Sequence, residues 1–218
     1  MHTDLSLRYV LKVPTAKPDS AEMPLVLCMH GRGADANDLA DLAPMLDGGD
    51  GYRFIFPNAP RPFEPYPGMT FGWTWFDGLP PDPESIAAAR ATLLRFIDEV
   101  LARYPTPEGK VVVSGFSQGG VMALEAGFRM PVPPAGIVVM SGALHERDLP
   151  DLRARANQRV LIVHGTFDDM IPVAAARRAR HVLEEHGLRP EYHEFAMGHQ
   201  VTQESLSVVA DFIRRCLG

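Results

Sequence analysis

Ser117 lies within "VVVSGFSQGGVMALEAG", Val111 to Gly127, with glycines at 115, 119 and 120 around it. A β-branched run of buried type leads into the serine and a helical pattern follows at once, so Gly-x-Ser-x-Gly falls on a strand-turn-helix. A serine on so sharp a turn is held in a strained backbone conformation, and its neighbours must lack bulky side chains. Gly115 and Gly119 supply that room, while Gly120 lets the helix pack closely on the strands. The start of the helix sets N–H groups and a positive dipole end beside the hydroxyl. The pattern reads as a nucleophile turn and not as a phosphate loop, because no lysine follows as in a P-loop.

A serine hydroxyl is a poor nucleophile until an adjacent base takes its proton, and a carboxylate must orient that base. On such a turn the expected chain order is serine, acid, histidine, each following a strand. "VLIVHGTFDDMIP" carries Asp168 and Asp169 after an apolar run, and both are candidates for the acid. "EYHEFAMGHQ" carries His199 in a post-strand loop, next to Gly198. The other seven of the eight histidines fit less well. His30 and His164 close apolar runs just before glycine and read as structural turn residues lining the site. His181 and His186 fall in a helical pattern, His193 in a strand, and His2 and His145 in terminal or loop positions.

The developing oxyanion needs two N–H donors. Gln118, directly after the serine, offers one. The second falls to Arg32 in "MHGRGADAND", where Gly31 and Gly33 let the backbone turn its amides inward. A metal reading is disfavoured by the absence of a His-x-x-x-His helix pair and of cysteines at zinc-site spacing. No metal and no cofactor are expected.

The elements that must position these residues alternate. "LSLRYVLKV", "PLVLCMH", "YRFIFPNA", "KVVVSGF", "AGIVVMSG", "RVLIVHG" and the more polar, edge-like "EYHEFA" read as strands. Between them "ANDLADLAPML", "PESIAAARATLLRFIDEVLARY", "SQGGVMALEAGFRM", "PVAAARRARHVLEEHG" and "QESLSVVADFIRRCL" read as helices. Strand-helix alternation predicts an α/β fold with a mostly parallel sheet of about seven strands and helices on both faces. The site is then expected outside the carboxyl ends of the strands. One segment breaks the rhythm. Asn58 to Asp82, "NAPRPFEPYPGMTFGWTWFDGLPPD", is rich in proline, glycine and aromatics and is expected to be a functional loop near the site.

Residues 1–218 are expected to form one domain, with no linker and no large cap domain. The net charge of −6 argues against nucleic-acid and anionic-membrane partners. The amino terminus lacks an apolar core of signal-peptide length, and no apolar run approaches a membrane span. Cys28 and Cys216 read as ordinary thiols of a cytoplasmic protein.

With these residues placed, the chain resembles the phospholipase/carboxylesterase family of α/β-hydrolases, which includes the acyl-protein thioesterases. The similarity covers almost the whole chain. "HGRGADANDL" is similar to the family's oxyanion segment, "FPNAPRPF" to its Pro-Asn-Ala-Pro turn and "WTWFD" to its Trp-Phe-Asp motif. "SGFSQGGVMAL", "MSGAL", "HGTFDDMIP" and "MGHQ" follow in family order. The resemblance implies an α/β-hydrolase fold, and its His-Gly-x-x-Asp spacing selects Asp168 over Asp169. Arg32 stands where the family often has an apolar residue, and Asp169 where it often has proline.

The expected activity is hydrolysis of carboxylic esters, thioesters included, through Ser117, His199 and Asp168 and an acyl-enzyme. The alternatives are a hydrolase of a small soluble catabolic ester and a non-catalytic binding scaffold, which predicts an eroded triad or oxyanion loop. Met69, Phe71, Trp73, Trp75 and Phe76, with Met170 and Ile171, are expected to wall an acyl pocket. For each aromatic, simple packing of the loop on the domain is an equal alternative. The expected partner is a small-molecule ester or thioester, with no nucleic acid and no integral membrane association. A homodimer is compatible with this reading.

Overall fold

A computed structural model of the chain describes residues 1–14, 22–49, 51–78 and 80–218. Seven strands form the main sheet: β1 (Tyr9–Lys12), β2 (Leu25–Met29), β3 (Arg53–Pro57), β6 (Val111–Phe116), β7 (Gly136–Met140), β8 (Val160–Gly165) and β9 (Glu191–Phe195). Their spatial order is β1-β3-β2-β6-β7-β8-β9. β1 runs antiparallel to β3 and every other pairing is parallel.

The central strands are buried but for the partly buried Phe116 at the end of β6, which explains their unbroken apolar runs. Alternate residues of each strand feed opposite cores. Leu25, Leu27, Val113, Ile137 and Ile162 pack with α2 (Pro83–Arg103), α3 (Gln118–Gly127) and α4 (Val173–Glu185). Val26, Cys28, Val112, Val138 and Leu161 pack on the other face with α1 (Ala43–Asp47) and α5 (Gln203–Leu217). Helices therefore cover both faces of a mostly parallel sheet.

The helix boundaries follow local chemistry. Asp82 caps α2 by accepting from the Glu84 and Ser85 N–H groups, with Pro83 in the first turn. Thr202 and Ser205 form a reciprocal cap on α5. The helix expected over "ANDLADLAPML" is much shorter, a 3-10 turn at Ala40–Leu42 followed by the five residues of α1. Pro44 cannot donate an N–H, so an α-helix can start there but not run through it, and left-handed Gly48 ends it. The strand expected from Leu5 begins only at Tyr9, although Leu7 remains buried.

Within Asn58 to Asp82, β4 (Arg61–Pro62) and β5 (Trp73–Thr74) pair antiparallel in a separate two-stranded ladder. A bridge between Ala34 and Trp73 ties this ladder to the loop after β2. Among the described residues, no helix is long and apolar enough to cross a membrane.

Candidate active site

Ser117 leaves β6 with φ 55° and ψ −119°, a left-handed backbone that a serine rarely adopts. Its N–H donates to the Met140 carbonyl at 2.9 Å, fixing the turn to the neighbouring strand. A Cβ on Gly115 would lie 2.2 Å from the Gly119 backbone, and one on Gly119 would lie 2.1 Å from the Met29 carbonyl oxygen. Neither contact can be relieved by moving a side chain, so the turn exists only with glycine at both positions. A serine at an N-cap ordinarily turns its hydroxyl onto the helix N–H groups. Here it makes no such bond, and the hydroxyl faces His199 Nε2 at 2.9 Å instead.

His199 Nδ1 lies 2.8 Å from Asp168 Oδ2. An ionised carboxylate can only accept, so this bond puts the proton on Nδ1 and leaves the Nε2 lone pair toward the serine. The Met170 and Ile171 N–H groups donate to the other oxygen, Oδ1, at 3.0 and 2.8 Å. Of the two adjacent carboxylates, the Asp168 side chain is fully buried against His199, and Asp169 is exposed. Burial pushes the Asp168 carboxyl up, but the Ile171 N–H, His199 and His164 outweigh it and hold it below the usual carboxylate range.

The two loops that carry Asp168 and His199 are laced together. Thr166 N–H donates to the Phe195 carbonyl at 2.8 Å and Phe167 N–H to the Met197 carbonyl at 3.1 Å. The His199 ring also rests on Phe116, with centroids 4.8 Å apart.

The loop after β2 closes over the serine. A Cβ on Gly31 would meet Ser117 Cβ at 3.3 Å, so this backbone passes directly beside Ser117. The N–H groups of Arg32 and Gln118 have no acceptor among the described residues, which leaves both free to receive one.

Three contributions have partners that the sequence reading did not supply. The Gln118 side chain accepts from the Thr74 hydroxyl at 3.1 Å and the Trp75 N–H at 3.0 Å, and donates to the Phe76 carbonyl at 2.8 Å. It thereby clamps the aromatic loop onto the turn that follows Ser117. His30 accepts from the Ala59 N–H at Nε2 and so donates from Nδ1 to the Gly31 carbonyl at 2.6 Å. Burial pulls its pKa down to about 4, against smaller upward effects of Gly31 and Asp35. His164 Nε2 lies 2.8 Å from the Ile171 carbonyl and 3.4 Å from Asp168 Oδ2, presenting a second imidazole to the acid. The only available signal for the two histidines was their place before glycine at strand ends. Nothing local marked the Gln118 clamp.

The residues expected to wall a pocket diverge. Phe76 lines a cavity of about 420 Å³ beside the Arg32 loop. Trp75 is a correction: it is fully buried in the core, its indole N–H donating to the His30 carbonyl at 2.9 Å. This bond ties the ring to the loop after β2, because a buried indole settles where its N–H finds an acceptor. Trp73 is half-buried against the same core and under Arg8. Met69, Phe71 and Met170 are exposed, and Ile171 contributes its backbone to the Asp168 and His164 contacts.

The chain is similar to known proteins over almost its whole length. The family model described as phospholipase/carboxylesterase matches residues 12–217. The chain is 29% identical to acyl-protein thioesterase 1 of Mycosarcoma maydis, over 95% of this chain and 98% of that protein. The crystal structure of esterase PE8 superposes with a TM-score of 0.82 at 27% identity, covering 99% of this chain and 100% of that one. The Mesorhizobium loti carboxylesterase shares the fold, with a TM-score of 0.82 at 21% identity over 98% of this chain and 97% of that one. The chain therefore belongs to the phospholipase/carboxylesterase family.

Proposed function

We propose that the protein is a serine hydrolase of carboxylic esters, thioesters included, that works through an acyl-enzyme. The observation that carries this reading is the continuous hydrogen-bond chain from the Ser117 hydroxyl through His199 to the buried Asp168. Ser117 Oγ attacks the ester carbonyl while His199 Nε2 takes its proton. The Arg32 and Gln118 N–H groups receive the oxyanion. Collapse of the tetrahedral intermediate breaks the bond to the alcohol or thiol, which leaves with the proton from His199. Water then gives a proton to His199 and attacks the acyl-serine, and the second collapse releases the acid and restores Ser117. Asp168 holds the imidazole in the required tautomer and balances the imidazolium charge. The thioester part draws support from the name of the Mycosarcoma maydis relative.

A p-nitrophenyl ester series of increasing chain length, run beside an acyl-thioester, tests the proposal. Ser117→Ala is expected to lower kcat by at least about 10⁴ and to lose labelling by a fluorophosphonate. Absence of both turnover and labelling in the parent protein would overturn it.

A further inference from the structure

His164 is fully buried one residue before the end of β8, and it takes no part in the proton transfers between Ser117 and His199. Its Nε2 lies 2.8 Å from the Ile171 carbonyl. A carbonyl oxygen can only accept, so Nε2 carries the ring proton and donates it there. Nδ1 is then the bare nitrogen, and it is buried with no partner among the described residues. A buried acceptor left without a donor is costly. An apolar side chain would fill the same space without that cost, so packing alone does not account for an imidazole here. What the ring supplies is its Nε2–H group.

That group stands at a junction. Ile171 accepts from His164 through its carbonyl and donates from its own N–H to Asp168 Oδ1 at 2.8 Å. The same Nε2 lies 3.4 Å from Asp168 Oδ2, the oxygen that faces His199 Nδ1 at 2.8 Å. One imidazole therefore connects both carboxylate oxygens to the end of β8, Oδ1 through the Ile171 peptide and Oδ2 by direct electrostatic contact. A carboxylate turns easily about its last bond, a broad sp³–sp² torsion. The Met170 and Ile171 N–H groups fix the carboxylate to its own turn, which leaves the turn itself to be fixed. Its first half is held by the Thr166 and Phe167 N–H groups. Its second half, which carries both donors to Oδ1, is joined to β8 by the His164 bond.

We propose that His164 is a positioning residue of the reaction. By holding the second half of the Asp168 turn against the end of β8, it keeps the carboxylate aligned with His199 while His199 moves protons between Ser117 and the leaving group. The proposal rests on the esterase reading and adds to it a residue that is buried away from the substrate. Reacting groups must be held within about 0.5 Å of their productive geometry. Slack in this turn is therefore felt at Ser117, through His199.

Three variants test this on one p-nitrophenyl ester, with active serines counted by fluorophosphonate labelling. His164→Leu fills the space and removes the N–H group. His164→Gln returns an amide N–H at the place of Nε2, whereas His164→Asn returns one only at the place of Nδ1. In His164→Leu and His164→Asn, kcat per labelled serine is expected to fall by about 10- to 100-fold, with KM within about threefold of the parent. His164→Gln is expected to recover to within about fivefold of the parent. A merely structural role would instead lower the labelled fraction and leave kcat per labelled serine unchanged, and that result overturns the proposal. A loss in His164→Gln as large as in His164→Asn overturns it too.

A second readout needs only the parent protein and holds whether or not a variant folds. In long-range proton–nitrogen correlation spectra of the histidine rings, His164 is expected as the Nε2–H tautomer and His199 as the Nδ1–H tautomer. A His164 ring with its proton on Nδ1 could not make the Ile171 bond, and the proposal would fall. Turnover and labelling by the parent, with kcat per labelled serine unchanged in the variants, would sink this inference alone. Absence of turnover and labelling in the parent would sink it together with the esterase reading.

Discussion

Asp168 meets its surroundings on both oxygens, and each contact favours the ionised form. Oδ1 accepts two backbone N–H groups, and Oδ2 faces His199 and, more distantly, His164. An asparagine here would keep the shape but could offer its NH₂ to Nδ1, which forces the proton onto Nε2 and removes the lone pair that Ser117 needs. Asp168→Asn is therefore expected to lower kcat by about 10⁴ with little change in KM. Asp169→Asn, at an exposed position, is expected to stay within about twofold of the parent. Steady-state kinetics on one p-nitrophenyl ester decide between them, and equal losses would remove Asp168 from its assigned role. The pair was ambiguous from the residues alone, because both carboxylates follow the same strand. The family's motif spacing favours Asp168, and the structure buries Asp168 against His199 and leaves Asp169 exposed. The Gln118 clamp was illegible for a different reason. Its partners lie more than forty residues earlier in the chain, and glutamine after the serine carries no local mark of what its side chain grips.

At the scale of elements, α3 is buried along its whole length, which makes Glu125 within it an anomaly that needs partners. They come from three directions. Arg90 of α2 donates to Oε2 at 2.7 Å, Arg129 lies 3.1 Å from the same oxygen, and His145 Nδ1 lies 3.4 Å from Oε1. Arg90 also reaches Asp148, whose backbone carbonyl accepts from Arg129. This cluster joins the helix that begins at the serine to α2 and to the loop after β7. Removing its centre would leave two largely buried guanidinium groups without their shared carboxylate. Glu125→Ala is expected to cost about 3 kcal/mol in urea unfolding, with loss of activity following loss of fold. A cost below about 0.5 kcal/mol would reduce the cluster to surface pairing. The alternation of strands and helices was legible because period and punctuation are local properties. This cross-link was not, since a glutamate in a helical pattern looks the same whether solvated or paired. The shortened α1 was legible in retrospect from Pro44, where the apolar pattern continues but the backbone cannot.

For the whole molecule, ionisable groups buried away from the site set how stability depends on pH. Aromatics in the Asn58 to Asp82 segment gave no sign of which would face inward, because a proline-rich loop has no period. Trp75 settled into the core because its N–H reaches the carbonyl of His30, and His30 in turn binds the neighbouring backbone. That arrangement requires a neutral imidazole at Nε2, which accepts. The His30 pKa is lowered from 6.5 to about 4, so between those values the unfolded chain binds a proton that the folded chain does not. Its contribution is fully present above pH 6.5 and is lost as pH falls to 4, amounting to about 3 kcal/mol. On the alkaline side, burial pushes the Cys28 thiol up to about 12 and the Cys216 thiol up to about 11. Burial likewise raises Tyr9 and Tyr192 above the ordinary tyrosine range. These groups ionise first in the unfolded chain, so the stability they contribute is present below about pH 9 and declines as pH rises further. Urea midpoints measured across pH are therefore expected to form a plateau between about 6.5 and 9. His30→Gln should lower the plateau, since the Ala59 and Gly31 bonds are disturbed, and flatten the acid limb, since no imidazole remains to protonate. Cys28→Val should flatten the alkaline limb without touching the acid one. An acid limb equally steep in His30→Gln and the parent would show that other groups govern it, and would remove His30 as the proton-linked link between the loop after β2 and the core.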